Sequence, residues 1–225
     1  MEANIRDNKG LVMEAGSSRL RLQTSVRLRW FAVAGQLLTV TVVHFGLGFS
    51  LPIGLCVAVI ALSAWVNVFL TISYSPRHHL SSTFAACLLA YDLLQLAALL
   101  YLTGGIENPF AVLLVAPVTV SAATLPSRHT MCLGALALSA TMFLVFRHYP
   151  LPWLATETVR IPLLYKIGQL TAVTASLLFL GLYAWRLAKE ARQMSAALSA
   201  TELVIAREQQ LHAHDGLAAA AAHEL

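Results

Sequence analysis

Charge is scarce in this chain. Asp, Glu, Lys and Arg make up 12% of its 225 residues, roughly half the share usual in soluble proteins. Disorder, which rests on low hydrophobicity and high net charge, is excluded. Cysteine is scarce too. Three residues, an odd number, sit in apolar runs without a C-x-x-C spacing, which excludes a secreted disulfide scaffold. No G-x-x-x-x-G-K-S/T stretch is present, so no P-loop is available for nucleotide. What is abundant is apolar side chain: 58% of residues, with a mean hydropathy of +0.70. A soluble domain of this size could not bury that much apolar surface in one core. The composition specifies a membrane protein.

A spanning helix needs about 20 predominantly apolar residues. Six stretches fit or nearly fit: 30–48, 52–73, 83–103, 110–125, 130–146 and 164–185. The fourth and fifth are short, and only Pro126-Ser127-Arg128-His129 separates them. Fusing them would put Arg128 in mid-bilayer at a cost of several kcal/mol, so two helices joined by a tight turn are expected. The fold class is therefore an all-α membrane protein, six transmembrane helices followed by a cytoplasmic signalling or dimerisation helix. Orientation follows from the basic residues. Arg19, Arg21, Arg27, Arg29, Arg77, Arg128, Arg186, Lys189 and Arg192 fall on one side, and Arg147, Arg160 and Lys166 on the other. Nine against three predicts both termini in the cytoplasm. No cleavable signal peptide is expected, because the first apolar run is long enough to span. The resulting organisation is a basic cytoplasmic segment over 1–29, a sensor domain over 30–185 and a cytoplasmic helical region over 186–225. The alternating Arg19-Leu20-Arg21-Leu22 pattern reads as an orientation signal against anionic lipid, with no nucleic-acid partner.

Polar residues inside a membrane are costly and so informative. Gln36, Asn67 and Gln95 are expected to make interhelical hydrogen bonds. Asp92, near the middle of span three, is expected to be protonated and bonded to an amide or to Tyr91. Together with His44 it is a candidate for intramembrane polar coupling. Cys56, Cys87 and Cys132 read as packing residues. His78-His79 and His129 lack matching acidic or thiol ligands, so no metal site is expected.

The most informative local segment is Gly104-Gly105-Ile106-Glu107-Asn108-Pro109-Phe110, between spans three and four. The two glycines can end a helix through a left-handed turn, and Pro109 suits the first position of the next. Asn108 offers a donor and an acceptor, and Phe110 a stacking face. An apolar recess with such groups could hold a carbonyl-bearing head group. The longest outer loop carries Arg147, His148, Glu157, Arg160 and Lys166, with Tyr149 and Trp153 as interfacial anchors. At about 20 residues it is far short of a folded domain, which favours a stimulus from within the membrane.

Past Arg186 the chain turns polar and lacks proline. Leu187, Ala191, Met194, Leu198, Thr201 and Ile205 advance by alternating steps of four and three, the seam of a coiled coil. Beyond Ile205 the register slips, a discontinuity that changes supercoiling locally. Asp215-Gly216 could interrupt the helix. No breaker lies in Tyr183-Ala184-Trp185-Arg186, so a helix continuous from span six is expected.

Six spans, the heptapeptide after span three and the ending Ala218-Ala219-Ala220-Ala221-Ala222-His223-Glu224-Leu225 together resemble the RegB/PrrB family of redox-responsive sensor histidine kinases. The heptapeptide matches that family's GGxxNPF motif at Gly104, Gly105, Asn108, Pro109 and Phe110. The resemblance implies a quinone-binding segment at Gly104, Gly105, Ile106, Glu107, Asn108, Pro109 and Phe110. It also implies ubiquinone as the regulatory ligand, a homodimer in the bacterial inner membrane, and control by oxidised quinone or by electron flow through a respiratory oxidase. Its partner would be a response regulator of the RegA/PrrA type. His223 and Glu224 match the start of the family's H-box, as phosphoacceptor and as the carboxylate that orients it. An imidazole is nucleophilic near neutral pH, and a neighbouring carboxylate can fix its tautomer. The rest of that box and the Mg-ATP domain are missing from these 225 residues, so the chain alone is expected to be inactive as a kinase. Two other readings remain open on the residues: a small transporter using Asp92, and a quinone-binding subunit of a respiratory complex.

Overall fold

A computed structural model describes residues 22–74, 81–151 and 162–223, and they are helical with no strand among them. Six α-helices follow in order. They are α1 Leu22–Thr41, α2 Ile53–Ser73, α3 Ser82–Leu102, α4 Val115–Thr124, α5 Ser127–Phe146 and α6 Leu163–His223. A π-helical turn, Val42–Gly46, extends α1, and two 3-10 segments, Gly105–Glu107 and Pro109–Leu114, lead from α3 into α4. Five of these helices are long and apolar enough to cross a bilayer; the apolar run Pro109–Thr124 is shorter. Its first six residues are 3-10, rising about 2.0 Å each, and its ten α residues rise about 1.5 Å each. Extended 3-10 geometry thus brings a short run to about 27 Å, close to the hydrocarbon thickness of about 30 Å. The chain divides into two compact units, one of Ser17–Trp185 and one that takes in Arg186–Leu225.

Within the first unit α3 is the central element, packed against α2, α4 and α5. Ser81 caps it, accepting from the Phe84 amide at 3.2 Å, which satisfies one of the free donors of a helix start. Leu88, Leu93 and Leu100 of α3 join Leu114, Val118, Leu133, Ala137 and Leu144 in the main core, and α6 adds Val173 and Leu177. A second cluster sets Val33 and Val40 of α1 against Cys56, Ile60, Leu99 and Leu102. Large side chains such as Phe31, Trp65, Phe69, Ile72 and Phe146 point outward, where lipid tails are as apolar as any core.

Several expectations change. α1 begins at Leu22, so Arg27 and Arg29 lie on the helix rather than ahead of it. Arg29 is buried at 5% exposure. Of the cysteines only Cys56 is buried; Cys87 and Cys132 face outward, where the bilayer imposes no packing demand. Lys166 belongs to the first turns of α6, not to a loop. Asp215-Gly216 does not end α6, which runs on to His223, since one glycine costs a helix only about 1 kcal/mol. Trp153, Glu157, Arg160, His78 and Glu224 lie outside the described residues. The expected separation of the fourth and fifth helices by a tight turn is observed, with Leu125 and Pro126 extended between them.

Candidate functional site

The segment from Gly104 to Phe110 is a rigid corner. Gly104 and Gly105 have φ of +113° and +57°, the left-handed region that glycine adopts without steric cost. Space imposes the same choice. A Cβ on Gly104 would run into Leu151, with its Cα 3.1 Å away, and one on Gly105 would lie 2.7 Å from the Leu144 carbonyl oxygen and against His148. Ile106 is fully buried. Glu107 is tied to α6: Lys166 Nζ lies 2.7 Å from its Oε1, and His148 Nε2 lies 4.0 Å from the same oxygen. The loop after α5 closes over this corner, with the Tyr149 amide donating to the Tyr101 carbonyl at 2.8 Å and the two rings meeting edge to face.

Asn108 staples the corner. Its Nδ2 donates to the Thr103 carbonyl at 3.0 Å and to Thr103 Oγ1 at 2.8 Å, and its Oδ1 accepts from the Phe110 amide at 2.9 Å. Both amide hydrogens are therefore used. Pro109 occupies the first turn of the next helical segment, where its missing N–H is no loss.

Asn108, Pro109 and Phe110 form part of the wall of a cavity of about 670 Å³ between α1, α3 and α4. That is within the range of roughly 300–1,000 Å³ that encloses a small ligand. Most of the lining is apolar: Leu28, Val40 and Val43 from α1 and its extension, Leu96 and Leu99 from α3, Leu113 and Val120 beyond the corner. Leu28, Phe110 and Leu113 are 54%, 47% and 47% exposed, so the rim opens toward lipid. Deeper in, two polar bridges cross from α1 to α3. Gln36 and Gln95 exchange amide hydrogen bonds, Gln36 donating at 3.3 Å and Gln95 at 2.9 Å. Arg29 meets Asp92 with Nε 2.8 Å from Oδ1 and Nη2 donating to Oδ2 at 3.0 Å. The guanidinium also stands over the Tyr91 ring at 5.7 Å.

The expected bond of Asp92 to an amide or to Tyr91 is not formed; both of its carboxyl oxygens meet the Arg29 guanidinium instead. The interhelical role of Gln36 and Gln95 is as expected, and Asn67 likewise reaches across, donating to the Val26 carbonyl at 3.0 Å. His44 is not brought to the cavity; its Nδ1 lies 3.2 Å from the Phe49 carbonyl oxygen. Gly104, Gly105, Ile106 and Glu107 build the corner without lining the cavity. Arg29 is the residue the sequence reading missed. Its signal was spacing: Arg29 and Gln36 are seven apart and Asp92 and Gln95 three apart, so each pair shares one helix face.

A family model described as a PilS-like transmembrane domain matches residues 14–198. The chain belongs to that family. It is similar to the sensor histidine kinase RegB of Cereibacter sphaeroides, 43% identical over 205 residues, or 91% of this chain and 44% of that protein. A second RegB sequence from the same species is 44% identical over 206 residues, 92% of this chain and 45% of its own length. The chain thus spans less than half the length of these relatives, and the likeness falls on the membrane sensory portion. No solved structure matches it.

Proposed function

We propose that this PilS-like domain is the sensory input of a redox-responsive histidine kinase and that ubiquinone occupies the cavity between α1, α3 and α4. The observation that carries the reading is the corner itself. Asn108-Pro109-Phe110 stands at the edge of an apolar chamber of ligand size that opens toward the lipid, where a membrane-borne carrier is dissolved. Oxidised and reduced carrier differ in hydrogen-bonding character, and a ligand shifts a conformational equilibrium only through differential affinity for the states.

Transmission runs through the corner's other side. Glu107 holds Lys166 at 2.7 Å, so a displacement of the turn is passed to the start of α6, the helix that ends at His223. In the full-length kinase His223 is the phosphoacceptor, Glu224 orients it, and the phosphoryl group passes to an aspartate of a response regulator of the RegA/PrrA type. Mg-ATP belongs to the catalytic domain of that kinase. The protein works as a homodimer in the bacterial inner membrane with both termini cytoplasmic. The apolar seam supports the dimer: Leu187, Met194, Leu198 and Ile205 are 54%, 70%, 62% and 49% exposed, at coiled-coil spacing.

The test is a titration of the chain in nanodiscs with decylubiquinone. Phe110→Ala should weaken binding about tenfold, as expected for losing one well-packed aromatic contact of 1–2 kcal/mol, with helical content unchanged. Binding equal to that of the unaltered chain, or no heat from either, defeats the site.

A further inference from the structure

The heptapeptide supplies shape to the cavity but little hydrogen bonding. Both Asn108 amide hydrogens are committed to Thr103 and its Oδ1 to Phe110, and the Thr39 and Thr103 hydroxyls donate to carbonyls of their own helix. The inner end offers no more. Arg29 spends Nη2 on Leu88 and Asp92, and its Nε and Nη1 are enclosed by protein. A carboxylate such as Asp92 gives a carbonyl no donor, and Ser63 is 2% exposed. Ser25 comes eleven residues before Gln36, about 16 Å along α1. Unspent donors stand in the middle. Gln36 and Gln95 both line the cavity, beside Val40, Leu96 and Leu99. Each Nε2 carries two hydrogens and gives one to its partner's Oε1, so each keeps a second N–H. A donor left unmet in apolar surroundings bears its desolvation cost, so an acceptor arriving through the cavity is favoured there.

We infer that the Gln36–Gln95 amide pair is the head-group anchor of the cavity: a spare Nε2–H of the pair donates to a ring oxygen of the bound lipid-soluble carrier. The inference rests on the quinone reading and adds to it the residues that hold the ring. The reciprocal bonds fix both amides before a ligand arrives, so little freedom is lost on binding. Each Oε1 accepts one bond and has a second lone pair, which receives a hydroxyl where the ring carries one. The pair therefore locates the ring at either oxidation level. Gln95 precedes Thr103 by eight residues, about 12 Å along α3, so a ring at the pair lies about two helical turns from the Asn108 corner. Its tail passes Phe110 and Leu113, each 47% exposed, into the lipid. On this arrangement Phe110 grips the stem of the ligand and the glutamines hold its oxygen. Because the pair bridges α1 and α3, the ring rests on the contact between those two helices.

The experiment is infrared difference spectroscopy of the 225-residue chain in quinone-free nanodiscs, loaded with decylubiquinone isotope-labelled at its ring carbonyls, with calorimetric titration alongside. In the unaltered chain a carbonyl band should lie at lower frequency than in empty discs. Gln36→Met/Gln95→Met removes both amides together, so neither is left unpaired. It should return the band to its position in empty discs and weaken binding about tenfold, because the ring oxygen loses its donor within an apolar wall. A band that the folded variant leaves unchanged overturns the anchor even where affinity falls, since loosened packing weakens binding without releasing the oxygen. So does an unaltered chain whose bound quinone has the band of empty discs. Should the double variant fail to fold by circular dichroism, solid-state NMR on the unaltered chain decides. Dipolar coupling between a glutamine Nε2 and a ring carbonyl carbon is expected, and its absence overturns the anchor. Weakened binding by Phe110→Ala would still leave the quinone site standing. If the unaltered chain takes up no decylubiquinone, the quinone reading falls, and the anchor with it.

Discussion

Gly104 and Gly105 show how much a single methyl group decides at the corner. Each combines a positive φ with a neighbour where a Cβ would stand. A non-glycine residue held in the left-handed region costs roughly 1–2 kcal/mol before any clash. Gly105→Ala should therefore lower the thermal unfolding midpoint in detergent clearly. Gly54→Ala, in the first turns of α2 with nothing within 4 Å of the added carbon, should leave it unchanged or raise it. Equal shifts in the two variants would show that the corner is not sterically determined. Asn108 illustrates a different limit. Its residue type was recognisable as important in the sequence, but the sequence reading gave it to a ligand, whereas its amide is bonded within the turn. A side chain that both binds and caps uses the same atoms, and only the packed geometry shows which partner has them.

At the scale of elements, α6 is the informative one. Within the membrane unit it is held to the core by Val173 and Leu177 on one face and by Lys166 to Glu107 near its start. Leu163, Leu164, Ile167, Leu178, Phe179 and Leu182 are exposed. A helix attached along so narrow a stripe moves at little cost in packing, which suits an element that relays a state. Lys166→Gln removes the charge pair while keeping much of the side chain. A nitroxide placed at Leu164, 79% exposed, should then become more mobile, and decylubiquinone affinity should hold within about twofold. An unchanged spectrum would mean that the pair does not anchor the helix. The approximate places of the spans were readable from apolar run length, though not the start of α1 at Leu22, because a bilayer demands about 20 apolar residues and satisfies backbone polar groups only within helices. The 3-10 entry into α4 was not readable, since it answers to Pro109 and to the corner's packing rather than to hydrophobicity.

For the whole molecule, the seam on α6 is the interface on which the proposed dimer rests. Leu198 and Met194 are exposed apolar residues at neighbouring core positions of a predicted coiled coil. Leu198→Glu should shift the protein toward monomer in detergent, read by light scattering with the detergent contribution subtracted. A dimer that persists unweakened would move the interface to the membrane helices. If the proposed kinase reading holds, loss of the dimer should also lower labelling of His223 in a full-length protein, because helices that pair weakly cannot hold phosphoacceptor and catalytic domain in register. The membrane fold, the approximate spans and the heptapeptide corner all follow from one-dimensional signals: apolar run length, charge placement and turn residues.

The sequence by itself determined that this is a multi-span helical membrane domain, where its helices lie and which segment bends between α3 and α4. Those properties depend on local composition, which a bilayer reads residue by residue. Only the tertiary structure decided that Arg29 leaves the basic N-terminal group to meet Asp92, that Glu107 holds Lys166, and that the corner borders a cavity shared by three helices. The physical reason is that each of these depends on which faces of separate helices meet. The pairing energy of a buried charge or amide is set by a partner some 60 residues away in sequence (63 for Arg29 and Asp92), a distance over which no local pattern extends.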